Sequence, residues 1–285
     1  MKKDRSKVSQ LHDRMNLDNV MCTFLTETWL LSDIIDAEID IPNYSVFRSD
    51  RSGRTHGGVV CYLKSDLGGV LSHTFSNGVV ETLLVKCKSI KTIFVTVYRP
   101  PNSNLSEWSE AINDLDEAIE LVQAHNEYPN IVMGGDFNFP NLKWHEGCIV
   151  LHQGLSSQEE LLYRFMSDKF LINHVDKPTR QNNLLDFICS NVPEWFGKCE
   201  VENNHIYSDH KTVTCEILRE LNKYESSDET SNIYSTNIPL LKIPDCESKD
   251  WEEYEYYLNK HDWFSISDGL TLMIKPSYSL KQLNK

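Results

Sequence analysis

Residues 131–141, Ile-Val-Met-Gly-Gly-Asp-Phe-Asn-Phe-Pro-Asn, constrain the fold more than any other stretch. Ile131 to Met133 is a short apolar run of the kind a buried strand requires. Gly134 and Gly135 then let the backbone turn tightly or approach a ligand closely. Asp136 and Asn138 follow, two residues apart. In extended backbone that spacing puts both side chains on one face and sends Phe137 and Phe139 to the other, into packing. A carboxylate beside a carboxamide at a strand end can accept a proton from water and orient that water. Taken alone, the same residues also describe a plain turn, since Gly, Asp and Asn are the usual turn formers.

The pattern on either side predicts a strand-rich domain. Val8, Leu11 and Met15 recur at helical spacing, giving a short amphipathic helix up to about Met15. Strands are expected at Val20–Leu25, Val59–Leu63, Val79–Cys87 and Thr92–Tyr98, punctuated by Gly57-Gly58 and Ser76-Asn77-Gly78. Pro100 and Pro101 stop the last of these, because proline cannot donate to a ladder. Asn104 with Glu107 forms a capping signature. Behind it Leu105, Trp108, Ile112, Leu115, Ile119 and Val122 alternate in steps of three and four, the clearest helix of the chain. A loop is expected over 140–154 and a second helix from Ser156 and Glu159 through Leu162, Phe165 and Met166. Leu184–Ser190 and Thr212–Leu218 read as the closing strands. Many strands with two or three helices between them argue for an α+β layered domain of about 215 residues.

Beyond residue 220 the character changes. The segment Lys-Tyr-Glu-Ser-Ser-Asp-Glu-Thr-Ser-Asn-Ile-Tyr-Ser-Thr-Asn is polar and reads as a linker. Aromatics return from Trp251 to Phe264 as a short helical stretch. The expected division is therefore a domain over 1–220 and a polar linker with a partly ordered tail over 221–285.

Charge limits the partners. The net charge is −14. Residues 222–285 hold 11 acidic and 7 basic side chains, so −10 belongs to the residues before them. Nucleic-acid binding usually needs a basic footprint, because phosphate neutralisation supplies much of the affinity. Here any such patch must be local. A site that gathers carboxylates around a divalent cation would account for part of the negative charge. No apolar run reaches the length of a membrane span, and the basic N-terminus lacks the apolar core of a secretory signal. Cytosolic or nuclear residence is the default. None of the eight cysteines stands in a C-x-x-C pair, and Cys22, Cys61, Cys189 and Cys215 read as reduced core residues.

Polar residues close several of the predicted strands: Glu27, Tyr98, Asp136 with Asn138, Asp186, and Asp209 with His210. Asp186 is the most telling, since a carboxylate inside Leu-Leu-Asp-Phe-Ile-Cys-Ser is costly unless paired or bound to metal. Taken in order, the motifs TETW (26–29), YRPPNS (98–103), GGDFNF (134–139), KPTR (177–180), LLDFICSN (184–191) and SDH (208–210) resemble the endonuclease/exonuclease/phosphatase superfamily. Within it they are most similar to the apurinic-type endonuclease domain of non-LTR retrotransposons. The resemblance covers roughly residues 8–220 and implies a four-layer α/β/β/α sandwich.

It also implies roles. Glu27 would hold Mg²⁺ or Mn²⁺, hard cations that prefer oxygen ligands, and Asp209 would sit near the metal or support the same network. Asp136 would take the proton of the attacking water, with Asn138 orienting that water. His210 would hydrogen-bond a phosphate oxygen, and Asp186 would fix its tautomer. Tyr98 would set its hydroxyl on the phosphate. Arg99, Asn102, Thr179 and Arg180 would contact phosphate or DNA; for Arg99 a structural salt bridge is an equal reading.

One departure follows from the same resemblance. The family opens with a strand carrying an asparagine, whereas this chain begins at the helix, so one strand and one ligand are expected to be lacking. The tail resembles the start of a linker between such a domain and a reverse transcriptase. Two functions remain open: a divalent-metal-dependent phosphodiesterase nicking DNA, and a catalytically impaired relic acting at most as a binding module. A phosphatase of inositol phosphates or a sphingomyelin diesterase is a third reading within the superfamily. DNA is the expected partner, with no membrane and no obligate protein partner.

Overall fold

The computed structural model describes residues 5–51, 56–124, 127–203, 208–218 and 271–276, with 5–7 and 271–276 described by their backbone alone. Helix α1 (Arg5–Leu17) leads into β1 (Cys22–Thr26), β2 (Tyr44–Ser49), β3 (Val59–Lys64), β4 (Gly69–Ser76), β5 (Glu81–Cys87) and β6 (Thr92–Tyr98). Helix α2 (Leu105–Gln123) returns the chain to β7 (Asn130–Asp136). A small hairpin, β8 (Trp144–His145) and β9 (Cys148–Ile149), lies in the stretch expected to be loop. Helix α3 (Ser157–Asp168) precedes β10 (Ile172–Asn173), β11 (Asp186–Ser190), β12 (Phe196–Glu202) and β13 (Thr212–Ile217). The final strand is β14 (Thr271–Pro276).

Two six-stranded sheets result, ordered β12-β13-β14-β1-β3-β2 and β10-β11-β7-β6-β5-β4. Three apolar cores separate the layers. One lies between the sheets and includes Phe24, Cys61, Leu83, Phe94, Val132 and Ile188. A second joins the other face of the second sheet to α2 and α3 through Trp108, Leu115, Leu162, Phe165 and Phe187. The third seats Leu11 and Met15 of α1 on Leu25, Val60 and Tyr62 of the first sheet. Helix, sheet, sheet, helix is the expected four-layer order.

Both long helices start where the sequence says. Asn104 accepts from Glu107 N at 3.0 Å, and the Glu107 carboxylate accepts from Asn104 N at 2.8 Å. This reciprocal cap satisfies two otherwise orphaned donors. Trp108, Ala111, Ile112, Leu115, Ala118 and Ile119 then form the buried face of α2. Ser156 and Glu159 cap α3 in the same way.

Gly134 and Gly135 serve a different purpose from the one expected. They lie inside β7, not in a turn. A Cβ on Gly134 would stand 2.3 Å from Phe24 Cδ2 of the opposing sheet, and one on Gly135 would stand 1.8 Å from the Val97 carbonyl oxygen. The first glycine admits an aromatic ring between the sheets; the second lets β7 pair closely with β6.

The cysteines follow the expectation in part. Cys22, Cys61 and Cys189 are buried and free. Cys215 is not: it stands opposite Cys199 on β12 and β13 and is bonded to it, with the Cα atoms 4.1 Å apart. Direct register on neighbouring strands brings the two thiols together, which the linear spacing of 16 residues did not suggest.

The strand expected to be lacking leaves no gap in the first sheet. β14, from beyond the expected boundary at 220, lies between β1 and β13. The linker and the helical stretch from Trp251 fall outside the described residues. No helix among the described residues is long and apolar enough to cross a membrane.

Candidate active site

Four polar residues form one row across the second sheet. Glu81 pairs with Tyr98, Tyr98 with Asp136, and Asp136 with Asp186, on β5, β6, β7 and β11 in turn. Direct partners on adjacent strands project to the same face. Tyr98 belongs to the core between the sheets, so the row faces the first sheet.

β7 ends at Asp136, and the chain then reverses sharply. Asn138 takes a left-handed φ of 51°, a strained choice for a residue other than glycine. Its backbone N–H donates to Asp136 Oδ1 at 3.1 Å and its amide nitrogen to Asp136 Oδ2 at 2.8 Å. The same nitrogen donates to the Arg99 carbonyl at 2.9 Å. Asn138 therefore shares a side with Asp136 because of a turn, not because of strand alternation. Phe137 and Phe139 pack as expected, on Phe187 and Trp108.

Asp186 is fully buried at the start of β11 and holds His210 from the loop before β13. His210 Nδ1 lies 3.1 and 3.0 Å from the two Asp186 carboxylate oxygens. Asp136, Asp186 and His210 each offer a ligand atom within 4.8 Å of the others, the group among the described residues that could hold a metal ion. Burial works against the His210 charge, but the Asp186 carboxylate outweighs it and raises the imidazole to about 9. Burial, and then the charge of Asp186, pushes the Asp136 carboxyl well above its usual range.

Glu27 approaches from the first sheet. It follows the end of β1 with a left-handed φ of 52°. Its Oε2 accepts from Gly57 N at 2.8 Å and from the Trp29 indole N–H at 2.5 Å. The Tyr98 hydroxyl also bonds the Glu27 carboxylate, while its ring lies within the field of Asp136; burial, then Glu27, drives the phenol far above its ordinary value, so it remains a donor. Tyr98 thus sits between Glu27 and the Asp136 group.

Sequence reasoning missed what lies beneath Tyr98. Arg51 donates to Glu81 through Nε and, at 2.6 Å, through Nη2, with both side chains buried. The guanidinium carbon is 5.5 Å from the Tyr98 ring centre. Glu81 heads the apolar strand Glu-Thr-Leu-Leu-Val-Lys-Cys, so the argument that singled out Asp186 applies to it equally. Trp29, inside the quoted TETW motif, was also passed over; its ring meets His56 edge-on at 4.1 Å.

Three expected contacts are corrected. Arg99 is buried, donates to the Phe137 and Asn138 carbonyls at 3.2 and 3.1 Å and to Gln158, and lies 4.0 Å over Phe139. Burial lowers it to about 10. It clamps the Asp136–Asn138 turn from behind and offers nothing to phosphate. Thr179 is fully buried, and its hydroxyl accepts from Leu185 N and Asp186 N at 3.1 and 3.2 Å. Asp209 is not part of the metal-capable group; its carboxylate is held by Arg180 at 2.5 Å. Asn102 is an exposed turn residue. Arg180 remains at the rim, close enough for its charge to act on His210.

The charge balance fits a divalent cation. Glu27, Asp136 and Asp186 bring three carboxylates; Arg51 is matched by Glu81, and His210 supplies one positive charge. Two further positive charges would restore neutrality and let Asp136 ionise, and hard oxygen donors suit such an ion.

Comparison with known proteins agrees with this fold. A family model described as endonuclease-reverse transcriptase matches residues 92–214. A Neisseria 3′ phosphatase bound to a product DNA hairpin shares 13% identity, with 75% of this chain and 95% of that one covered at a TM-score of 0.56. An endonuclease/exonuclease/phosphatase family protein from Bacteroides thetaiotaomicron shares 14%, with 72% and 84% covered at 0.50. The endonuclease domain of the telomere-specific non-LTR retrotransposon TRAS1 shares 15%, with 72% and 89% covered at 0.48. No curated protein matches the chain. The central segment, residues 92–214, thus matches the endonuclease-reverse transcriptase family model, and the four-layer fold is the one shared by structures of the endonuclease/exonuclease/phosphatase superfamily.

Proposed function

We propose that the chain hydrolyses phosphodiester bonds in DNA and nicks one strand. The observation that carries this reading is the convergence of Asp136, Asp186 and His210 within 4.8 Å. A carboxyl raised by burial is a better base than one in water, and a base works best near the operating pH. Asp136 accordingly accepts the proton of the attacking water. Asn138 acts by holding both oxygens of Asp136 in place. Asp186 fixes the His210 ring through Nδ1, which leaves Nε2 to donate to a phosphate oxygen. Tyr98, kept protonated, donates from the other side. Arg180 gives the rim a positive group suited to the DNA backbone.

Glu27, the carboxylate that neither takes the proton nor holds His210, would hold Mg²⁺ or Mn²⁺. A bound divalent cation supplies positive charge where negative charge develops on the leaving oxygen. DNA as substrate is supported by the family description over 92–214 and by the DNA product in the Neisseria relative.

The test is conversion of supercoiled plasmid to the open circle with Mg²⁺, comparing the native chain with Asp136→Ala. Nicking by the native chain and at least a roughly 100-fold loss in the variant is expected. Equal nicking by both would remove this site from the reaction, and phosphate release from small phosphoesters without nicking would replace DNA as substrate.

A further inference from the structure

We infer that the first sheet contains a strand-accepting slot between β1 and β13, which this chain fills with its own residues 271–276. The observation is one of connectivity. β13 ends at Ile217, and β14, its parallel neighbour, begins at Thr271. β14 pairs antiparallel with Cys22–Leu25 on one side and parallel with Val213–Ile217 on the other. It is thus an interior strand of the sheet, yet it comes from far along the chain.

Without it the sheet falls into two pieces, β12-β13 and β1-β3-β2, because neither pairs with the other directly. Each would present an open edge to the other. Those edges are made of buried residues: all of Cys22–Thr26 and Thr212–Cys215. A buried edge carries main-chain donors and acceptors that need partners. An extended peptide supplies them through its backbone, so such a slot recognises strand conformation and length more than side-chain identity. Pro276, opposite Ile217, lacks a donor and closes the insert at that end.

The slot also sets the width of the site. β1 leads directly into Glu27, and His210 stands just ahead of β13. One inserted strand keeps their strands two spacings apart, roughly 10 Å. β1 and β13 run antiparallel to each other, so an empty slot could close by direct pairing and displace His210 toward Glu27 by about 5 Å. This consequence for Glu27 and His210 rests on the hydrolytic reading of the site.

Two measurements on the full chain test the slot without turnover. Ile274 is the register partner of Cys22. In Ile274→Cys, mild oxidation should join Cys22 to the introduced thiol within one molecule, seen as a linked peptide by mass spectrometry. No link at Cys22, or a link only between two molecules, would overturn the assignment. Met273→Pro removes a donor from the middle of the insert. Amide exchange should then rise at least tenfold in 20–26 and 212–217, while 81–98 in the other sheet stays protected. A peptide spanning 268–278 should restore protection; a random-order peptide should not. Unchanged exchange in Met273→Pro, or equal restoration by both peptides, would count against the slot. A chain that crosslinks as expected but never nicks DNA leaves the slot standing and removes only the hydrolytic reading.

Discussion

His210 presents Nδ1 to Asp186, 3.0 Å from Oδ2, from a loop 24 residues further along the chain. The pair fixes the protonation of the ring. Raised from 6.5 to about 9, His210 contributes stability that is complete below pH 6.5 and is lost as pH rises through about 9. Replacing the carboxylate removes the cause that outweighs burial. In Asp186→Asn the imidazole should titrate below 6.5, as followed by NMR of the ring protons in the metal-free chain. Nicking at pH 8 should fall by about 10²-fold or more, because Nε2 then loses its charged donor. A ring that still titrates near 9 in the variant would show that another group holds the proton.

Asp136 should trade stability against activity. Its carboxyl is raised by burial and by Asp186, so ionising it costs the fold energy as pH rises above the ordinary carboxylate range. Asp136→Asn keeps an acceptor for Asn138 N–H and removes the repulsion. In chelator, thermal melts at pH 7.5 should show the variant more stable by about 0.5–2 kcal/mol, the range typical of relieved functional strain. Nicking should be abolished. Added Mg²⁺ should raise the melting temperature of the native chain and do less for the variant.

Arg99 separates a clamp from a phosphate contact. Its donors meet the carbonyls of Phe137 and Asn138, behind the turn that presents Asp136. A lysine has one nitrogen and cannot reproduce both the Nη1 contacts to the two carbonyls and the Nη2 contact to Gln158. Arg99→Lys should therefore lower kcat about tenfold or more and leave KM for DNA within about twofold, since no bond to phosphate is lost. The slope of affinity against salt should not change. Arg180→Ala should do the reverse, raising KM and flattening that slope.

Much of this candidate site was legible in the sequence because its residues stand at strand boundaries: β6 ends at Tyr98, β7 ends at Asp136 and β11 begins at Asp186. Tyr98, Asp136 and Asp186 were placed at strand boundaries, and the row across β6, β7 and β11 follows from register alone. Arg99 and Thr179 were misread for one reason: a polar residue beside a functional one looks functional in a linear chain, while its burial depends on helices α2 and α3 and on the 177–186 loop. Glu81 and Arg51 escaped because neither has a partner nearby in sequence. β4 was missed since its residues are mostly exposed, leaving little apolar alternation to read, and β14 since its pairing depends on strands more than 50 residues away.

Gly135 tests how tightly β6 and β7 are matched. A Cβ there would lie 1.8 Å from the Val97 carbonyl oxygen, so the strands must separate or the backbone must move. Tyr98 and Asp136 are register partners one residue further on, and both would be displaced. Gly135→Ala should destabilise the chain by about 3–5 kcal/mol, among the larger effects of a single substitution. Urea unfolding followed by tryptophan fluorescence measures it. Gly154, where an added Cβ would meet nothing within 4 Å, is the control for contact alone.

His174 gives a pH dependence remote from the acidic row. Its ring stacks on Phe196 at 4.2 Å and 12°, with Nε2 2.8 Å from Ser190 Oγ. Burial lowers it from 6.5 to about 4. The folded chain therefore binds this proton less readily than the unfolded one. The contribution is complete above pH 6.5 and is lost as pH falls towards 4, reaching about 3 kcal/mol at about 1.4 kcal/mol per unit. His174→Gln keeps a polar group for Ser190 but cannot charge. The variant should be less stable than the native chain at pH 7.5, because the stack on Phe196 is lost. Between pH 6.5 and 4.5 the native chain should lose stability faster, and the two urea midpoints should converge. Parallel curves across that interval would show that the proton on His174 is accommodated in the fold.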